Sequence, residues 1–248
     1  MKIFVQLLLL LTIPIHAFAL SPAELVKEAI DYWRGKTSYT EAQMTINRDD
    51  WKRTMKFQSW TMGTDKTLVR FTEPAKDAGS ASLKNDNKMW SYSPKVNKVI
   101  KIPPSMMGQS WMGSDFSYND LAKADDIVKR YSHKLLNEEE RDAHKFYTVE
   151  SIPLENAPVV WGKEILVIRD DYIIFKHQFF DQDMKLVKEL TAEEIAPMGG
   201  KLIAKVIRMK NVEEKNEWTE IVHSKAEFGI EISNNVFTLS YLRNPRNL

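Results

Sequence analysis

A long series of short β-rich segments, separated by turn-forming residues, constrains the fold of this chain most strongly. Candidate strands lie near residues 39–48, 52–62, 65–72, 79–84, 87–93, 97–102, 128–136, 143–152, 162–169, 172–181, 184–191, 201–211 and 216–225. Clusters of Asn, Asp, Gly, Pro and Ser lie between many of them and favour turns. Because the connections are short, neighbouring strands are expected to pair antiparallel. Many strands at regular spacing favour a sandwich or a barrel.

One amphipathic helix precedes the strands. Ser21 and Glu24 form a capping box, Pro22 suits the first helical position, and Gly35 ends the helix. Leu25, Val26, Ala29, Ile30 and Trp33 share one face, which needs a sheet or a cavity to cover it.

The second predicted strand changes its alternation partway along. Met55 and Phe57 share one face, whereas Trp60 and Met62 share the other. The change between 57 and 60 predicts a bulge that bends the sheet. Inward-facing strand residues are weaker candidates for a cavity lining, since a plain core role is equally open to each: Met55, Phe57, Trp60, Trp90 and Tyr92.

The N-terminus has the pattern of an export signal. Lys2 precedes an apolar run that extends to Ile15, and Ala17-Phe18-Ala19 supplies the small-x-small cleavage pattern. The run is shorter than the ~20 residues that a membrane-spanning helix needs. We therefore expect residues 1–19 to be a signal peptide and residues 20–248 to form a single soluble domain in the periplasm.

Composition narrows the function classes. The chain has 35 basic and 34 acidic residues and no cysteine. Loss of Lys2 leaves a formally neutral protein, which argues against a nucleic-acid binder. Without cysteine, neither disulfides nor N-terminal lipidation are available, so stability must come from a packed core.

The stretch from Pro103 to Asp126 interrupts the strands and is rich in Met, aromatic, Gly and Ser residues. We expect one or two short helical turns in a long loop of the kind that often serves as a lid or binding loop. Its large apolar side chains either plug a core or line a cavity that opens for cargo. The candidates for exchange with cargo are Met106, Met107, Trp111, Met112 and Phe116.

A search for catalytic and cofactor motifs finds none. The histidines after the signal stand alone, no Gly-x-Ser-x-Gly elbow occurs, and Gly199-Gly200-Lys201 indicates a hairpin turn rather than a phosphate loop. We expect no catalytic residue, no metal and no cofactor, and therefore no enzyme.

Three stretches resemble the LolA-like family of outer membrane lipoprotein-sorting proteins. They are Met89-Trp90-Ser91-Tyr92-Ser93-Pro94 with the residues that follow to Ile102, then Met112-Gly113-Ser114-Asp115-Phe116-Ser117-Tyr118-Asn119-Asp120-Leu121, and Phe179-Phe180-Asp181-Gln182-Asp183-Met184-Lys185. In the third stretch, Met184 stands where that family usually has glycine.

The resemblance implies a strongly curved, incompletely closed antiparallel β-barrel with an N-terminal helix and short lid helices around an apolar cavity. It implies a periplasmic carrier or chaperone for lipoprotein acyl chains or other lipids, in transient contact with membranes. It also leaves open a non-enzymatic accessory module of an inner-membrane efflux or lipid-export pump, such as an RND-type transporter. An enzyme with a lipidic substrate is the third alternative.

Overall fold

The computed structural model describes residues 20–122, 125–214 and 216–245. The predicted signal peptide, residues 1–19, lies outside them. The helices are α1 Pro22–Arg34, α2 Tyr118–Ala122, α3 Asp126–Arg130 and α4 Leu239–Arg243. The strands are β1 Thr37–Asn47, β2 Lys52–Met62, β3 Lys66–Glu73, β4 Ala81–Asn85, β5 Lys88–Ser93, β6 Lys98–Lys101, β7 Tyr131–Arg141, β8 His144–Pro153, β9 Lys163–Arg169, β10 Ile174–Phe180, β11 Leu186–Met198, β12 Lys201–Asn211 and β13 Trp218–Phe228.

Helix α1 begins and ends where its sequence predicts. The Ser21 hydroxyl accepts a hydrogen bond from the Glu24 amide, and the Glu24 carboxylate accepts one at 2.8 Å from the Ser21 amide. Leu25, Val26, Ala29 and Ile30 are buried against strands β8 and β9 and helix α3. The predicted capping box and apolar face are therefore confirmed.

The strands form one antiparallel sheet in the order β6-β5-β4-β3-β2-β1-β13-β12-β11-β10-β9-β8-β7. The first strand and the last pair at its centre, from Ser38 opposite Phe228 to Asn47 opposite Trp218. The two edges are β6 and β7, which are consecutive along the chain, and they do not pair with each other. The expected fold class, a curved and incompletely closed antiparallel barrel with few helices, is confirmed.

The change of alternation in β2 has a different cause from the predicted bulge. Pairing of β2 with β1 is regular throughout, and the irregular pairing with β3 falls at Lys56 and Phe57 instead. Met55 and Phe57 lie in the inner core, whereas Trp60 and Met62 pack on the opposite, outer face. The alternation changes because each half of the strand buries a different face.

The cover of that outer face comes from the C-terminal segment, residues 232–242. Val236, Phe237 and Leu242 are almost fully buried against Leu68 and Leu83 of the sheet. The guanidinium of Arg70 donates hydrogen bonds to the carbonyl oxygens of Tyr241 and Leu242, at 2.8 and 3.0 Å. This second layer was not predicted from the sequence because its few apolar residues are spread through a polar stretch.

Two further differences concern local structure. Residues 128–130, predicted as the start of a strand, belong to helix α3, and β7 begins at Tyr131. Met184 has a φ of +62°, the left-handed conformation that glycine adopts most readily, which fits the glycine that the resemblance implies at this position. Among the described residues, no helix combines the length and apolar character needed to cross a membrane.

Gly199 and Gly200 connect β11 to β12, and φ values of +61° and +84° fit a two-residue hairpin turn, as predicted. A Cβ at Gly199 would lie 2.6 Å from the Ala226 carbonyl oxygen, whereas a Cβ at Gly200 would have no neighbour within 4 Å. We expect Gly200→Ala to lower the free energy of unfolding by about 1 kcal/mol through backbone strain alone. Gly199→Ala should cost at least ~1 kcal/mol more, measured by urea denaturation. Equal losses would contradict the close approach.

Candidate functional site

A cavity of about 250 Å³ lies between α1, strands β9–β12 and the inner face of the loop that joins β6 to β7. Its walls are mainly apolar. The period of two along the strands turns His177 and Phe179 of β10, and Ile203, Ile207 and Met209 of β12, towards the same space. Helix α1 contributes Ile30, Tyr32 and Trp33.

The volume limits what the cavity holds as it stands. Pockets for drug-sized ligands usually measure ~300–1,000 Å³. At about 250 Å³, the space suits one short alkyl chain rather than several. Each methylene removed from water contributes ~0.8 kcal/mol, so burial of one such chain would amount to several kcal/mol.

A polar cluster interrupts the apolar wall. Nε2 of His177 lies 2.6 Å from Oε2 of Glu164, and both side chains are largely buried. Burial, with smaller effects of the Glu164 charge and of a hydrogen bond to Glu164, raises the pKa of Tyr131 at the start of β7. Within the described residues, Glu164 is the one side chain hydrogen-bonded to His177.

The loop between β6 and β7 crosses the inner face of the sheet, and we call its residues 102–122 and 125–130 the crossing segment. Its α2 end is held by a buried ion pair between Asp120 and Lys188 of β11. The ammonium of Lys188 lies 5.0 Å from the ring centroids of Trp161 and Phe179. The Asp120 carboxylate also accepts hydrogen bonds from the amide and hydroxyl of Ser117, at 2.7 and 2.9 Å.

A second ion pair holds the middle of the crossing segment. The Asp115 carboxylate pairs with Arg48 at 3.1 Å and accepts a hydrogen bond from the Thr219 hydroxyl at 2.6 Å. Arg48 pairs in addition with Glu217 at 3.1 Å. Asp115 and Asp120, both in the stretch that most resembles the lipoprotein-sorting proteins, therefore fix the segment to β13 through Thr219 and to β11 through Lys188.

The structure places the five predicted lid residues in different surroundings. Met106 and Met107 pack on Met89, Ile102 and Ala122. Trp111 is 3% exposed, stacks near Phe71 and donates a hydrogen bond to the Ser82 hydroxyl at 3.0 Å. Met112 packs against the inner core, and Phe116 alone of the five lines the cavity. Their exchange with cargo stays a prediction.

The five weaker candidates for the cavity lining lie in two different parts of the sheet. Met55 and Phe57 belong to the inner core, and Trp60, Trp90 and Tyr92 lie under the C-terminal segment on the outer face. None of the five belongs to the cavity wall formed by the described residues, and a role for them in cargo binding stays a prediction. The cavity-lining residues of β10 and β12 were not predicted from the sequence, although the apolar face of α1 indicated that a sheet or a cavity must cover it.

His223 of β13 lies behind the cavity wall. Its ring meets the edge of Trp33 at a centroid distance of 5.2 Å, and its Nδ1 is 3.2 Å from the Lys205 carbonyl oxygen, which accepts the hydrogen bond. Burial lowers its pKa. A neutral imidazole therefore supports the Trp33 side of the cavity.

A family model described as an uncharacterized protein matches residues 63–244. No curated protein matches the chain significantly. In solved structures, a DUF1329 family protein from Desulfovibrio piger has a TM-score of 0.80 at 26% identity, over 89% of this chain and 97% of that one.

Two further structures share the fold. A domain assigned to outer membrane lipoprotein sorting from Vibrio parahaemolyticus has a TM-score of 0.79 at 22% identity, over 90% of this chain and 98% of that one. A LolA superfamily protein from Nitrosomonas europaea has a TM-score of 0.75 at 19% identity, over 90% and 100%. The resemblance to lipoprotein-sorting proteins found in the sequence is confirmed. At these identities, the similarity to the two structures concerns the fold.

The Asp120–Lys188 pair generates a stability prediction. Asp120→Asn leaves a buried ammonium without its counter-charge, so we expect the free energy of unfolding to fall by about 3 kcal/mol in urea denaturation. Asp120→Asn combined with Lys188→Met should lose less than the single change. Glu213→Gln, which breaks an exposed pair with Lys185, is the control and should cost under ~0.5 kcal/mol. A double variant as unstable as the single one would contradict the ion-pair argument.

Burial of His223 predicts a pH effect. An unfolded histidine has a pKa of about 6.5, and the folded value is lower, so the unfolded state binds more protons between them. The free energy of unfolding should therefore fall as the pH drops from ~7.5 to ~5.5. His223→Gln should flatten this dependence without removing it, because burial also lowers the pKa of His133. An unchanged slope, measured by urea denaturation at each pH, would show that His223 does not contribute.

Proposed function

We propose that this protein is a periplasmic carrier of lipid-like cargo. The chain belongs to the family whose model, described as an uncharacterized protein, matches residues 63–244. It also has the LolA-like fold. It takes up acyl chains of lipoproteins or other lipids and passes them towards the outer membrane. The observation that carries the proposal is the apolar cavity beneath the crossing segment. The export pattern at residues 1–19 and the absence of cysteine support the periplasm as its location, with residues 20–248 as one domain.

Carriage requires binding that is strong enough to extract a chain and weak enough to release it. A ten-carbon stretch buried at ~0.8 kcal/mol per methylene gains about 8 kcal/mol, comparable with its attraction to a bilayer. The small cavity supports partial burial of such a chain, with displacement of side chains such as Phe116 to admit the remainder. Because the chain is only partly buried, its binding free energy stays low enough for a membrane or an acceptor protein to take it up.

Native mass spectrometry of protein purified from cell envelopes tests the proposal directly. A carrier should retain lipid of defined mass, which heating in organic solvent removes. An apo mass together with a stable complex containing an inner-membrane pump would support the accessory module instead. Conversion of a bound lipid to a product would support an enzyme.

Filling the cavity should abolish uptake. Leu190 of β11 lines the cavity, and Leu186 on the same strand does not. We expect Leu190→Trp to weaken binding of a fluorescent fatty-acid probe at least ~10-fold, a loss of about 1.4 kcal/mol, because the indole occupies the space of the chain. Leu186→Trp is the matched control and should bind within about twofold of the parent. Equal binding by both folded variants would place the probe elsewhere.

A further inference from the structure

A second hollow, of about 390 Å³, adjoins the apolar cavity. We call it the polar pocket. Its walls include Arg48, Ser110, Ser117, Lys188, Asn211 and Glu217, and Glu214 lies on its exposed rim. Whereas the cavity is mainly apolar, this pocket carries charged groups of both signs and several hydroxyls.

Three side chains line both hollows and thus form the wall between them: Phe116, Val160 and Trp161. Phe116 belongs to the anchored crossing segment, where its amide donates to the Ser114 hydroxyl at 3.2 Å. Val160 and Trp161 belong to the connection between β8 and β9. The Val160 carbonyl oxygen accepts a hydrogen bond at 3.0 Å from the side-chain amide of Gln182. Val160 is 41% exposed, so this side of the wall is the less firmly packed.

Trp161 also has a hydrogen-bond donor without an acceptor. Its ring packs on Phe179 at a centroid distance of 5.4 Å and lies under the Lys188 ammonium. Its indole N–H is buried and has no acceptor among the described residues. A buried unpaired donor costs free energy, and an oxygen atom of a ligand that reaches this wall would satisfy it.

The charges of the polar pocket point to a class of head group. The basic groups of the polar pocket are already paired within the protein: Arg48 pairs with Asp115 and Glu217, and Lys188 pairs with Asp120 beside the pocket. A head group with a single charge would meet a like charge within each of these pairs. A zwitterionic head, with a phosphate and an ammonium, can place each charge opposite its complement.

We propose that the two hollows form one site for a single-chain amphiphile, with the alkyl chain in the apolar cavity and a zwitterionic head group in the polar pocket. Val160 and Trp161 move aside to join the hollows, and the Trp161 N–H then donates to an oxygen of the head group. The inference rests on the proposed carrier function and adds the chemistry and the orientation of the cargo.

Three probes with the same twelve-carbon chain test this site: dodecylphosphocholine, dodecyl sulfate and dodecyltrimethylammonium, each below its micelle concentration. Binding is measured by isothermal titration calorimetry, and circular dichroism checks that each complex stays folded. The parent protein should bind the zwitterion at least ~10-fold more tightly than either charged probe. Leu190→Trp should weaken all three, because each chain needs the cavity.

A charge reversal on the rim tests the head-group position. Glu214→Lys should improve the affinity for dodecyl sulfate relative to dodecylphosphocholine by about fivefold, since a positive charge replaces a negative one on the rim of the pocket. Glu213→Lys makes the same change at the adjacent residue, which is also exposed but lines neither hollow. It should shift that ratio by less than about twofold.

The outcomes separate this inference from the carrier proposal. Equal binding of the three probes, or equal effects of the two charge reversals, would overturn the head-group assignment while leaving chain binding in the cavity intact. Zwitterion binding that survives Leu190→Trp would overturn the joined site. Failure to bind any of the probes or the fluorescent fatty acid would overturn the carrier function and this inference together.

Discussion

The pairing of β1 with β13 at the centre of the sheet determines most of the remaining architecture. With both ends of the strand series joined there, the middle of the chain must supply the two edges, β6 and β7. Because these edges are consecutive along the chain but do not pair, the residues between them must cross the open side of the sheet. The topology therefore places the Met-rich, aromatic stretch over the interior of the sheet. A segment in that position buries its side chains, which is why it is rich in apolar residues.

The local elements could be predicted from sequence because each depends on neighbouring residues. Alternation and turn residues located the strands, and the Ser21–Glu24 box located α1. The site could not be predicted in the same way. Its walls bring Trp33, His177 and Ile207 together from three elements far apart in sequence, and period-two patterns do not specify which face of a strand meets a cavity. Trp60 illustrates the limit, since its alternation was visible but the C-terminal segment that covers it was not.

Buried charge positions the crossing segment more than it stabilises the fold. Removing a carboxylate and an ammonium from water costs several kcal/mol per ion, which their attraction offsets only when geometry and added hydrogen bonds are good. Asp120 and Asp115 meet that condition through Ser117 and Thr219. Apolar contacts alone allow a segment to slide by a residue, whereas these two pairs accept one alignment, which sets Phe116 at the cavity wall.

The C-terminal segment makes the two halves of the sheet mechanically unlike. Strands β2–β5 are covered on both faces, so Leu68 and Val69, adjacent in β3, are both buried. On β10–β13, by contrast, charged partners such as Lys176 with Glu189, and Arg208 with Glu220, link neighbouring strands at partly exposed positions. Packed layers resist deformation, whereas a single layer with solvated links can flex. Strands β2–β5 thus form the stiff half of the sheet and β10–β12 the compliant half, and the cavity lies against the compliant half, where outward bending of the strands would enlarge it.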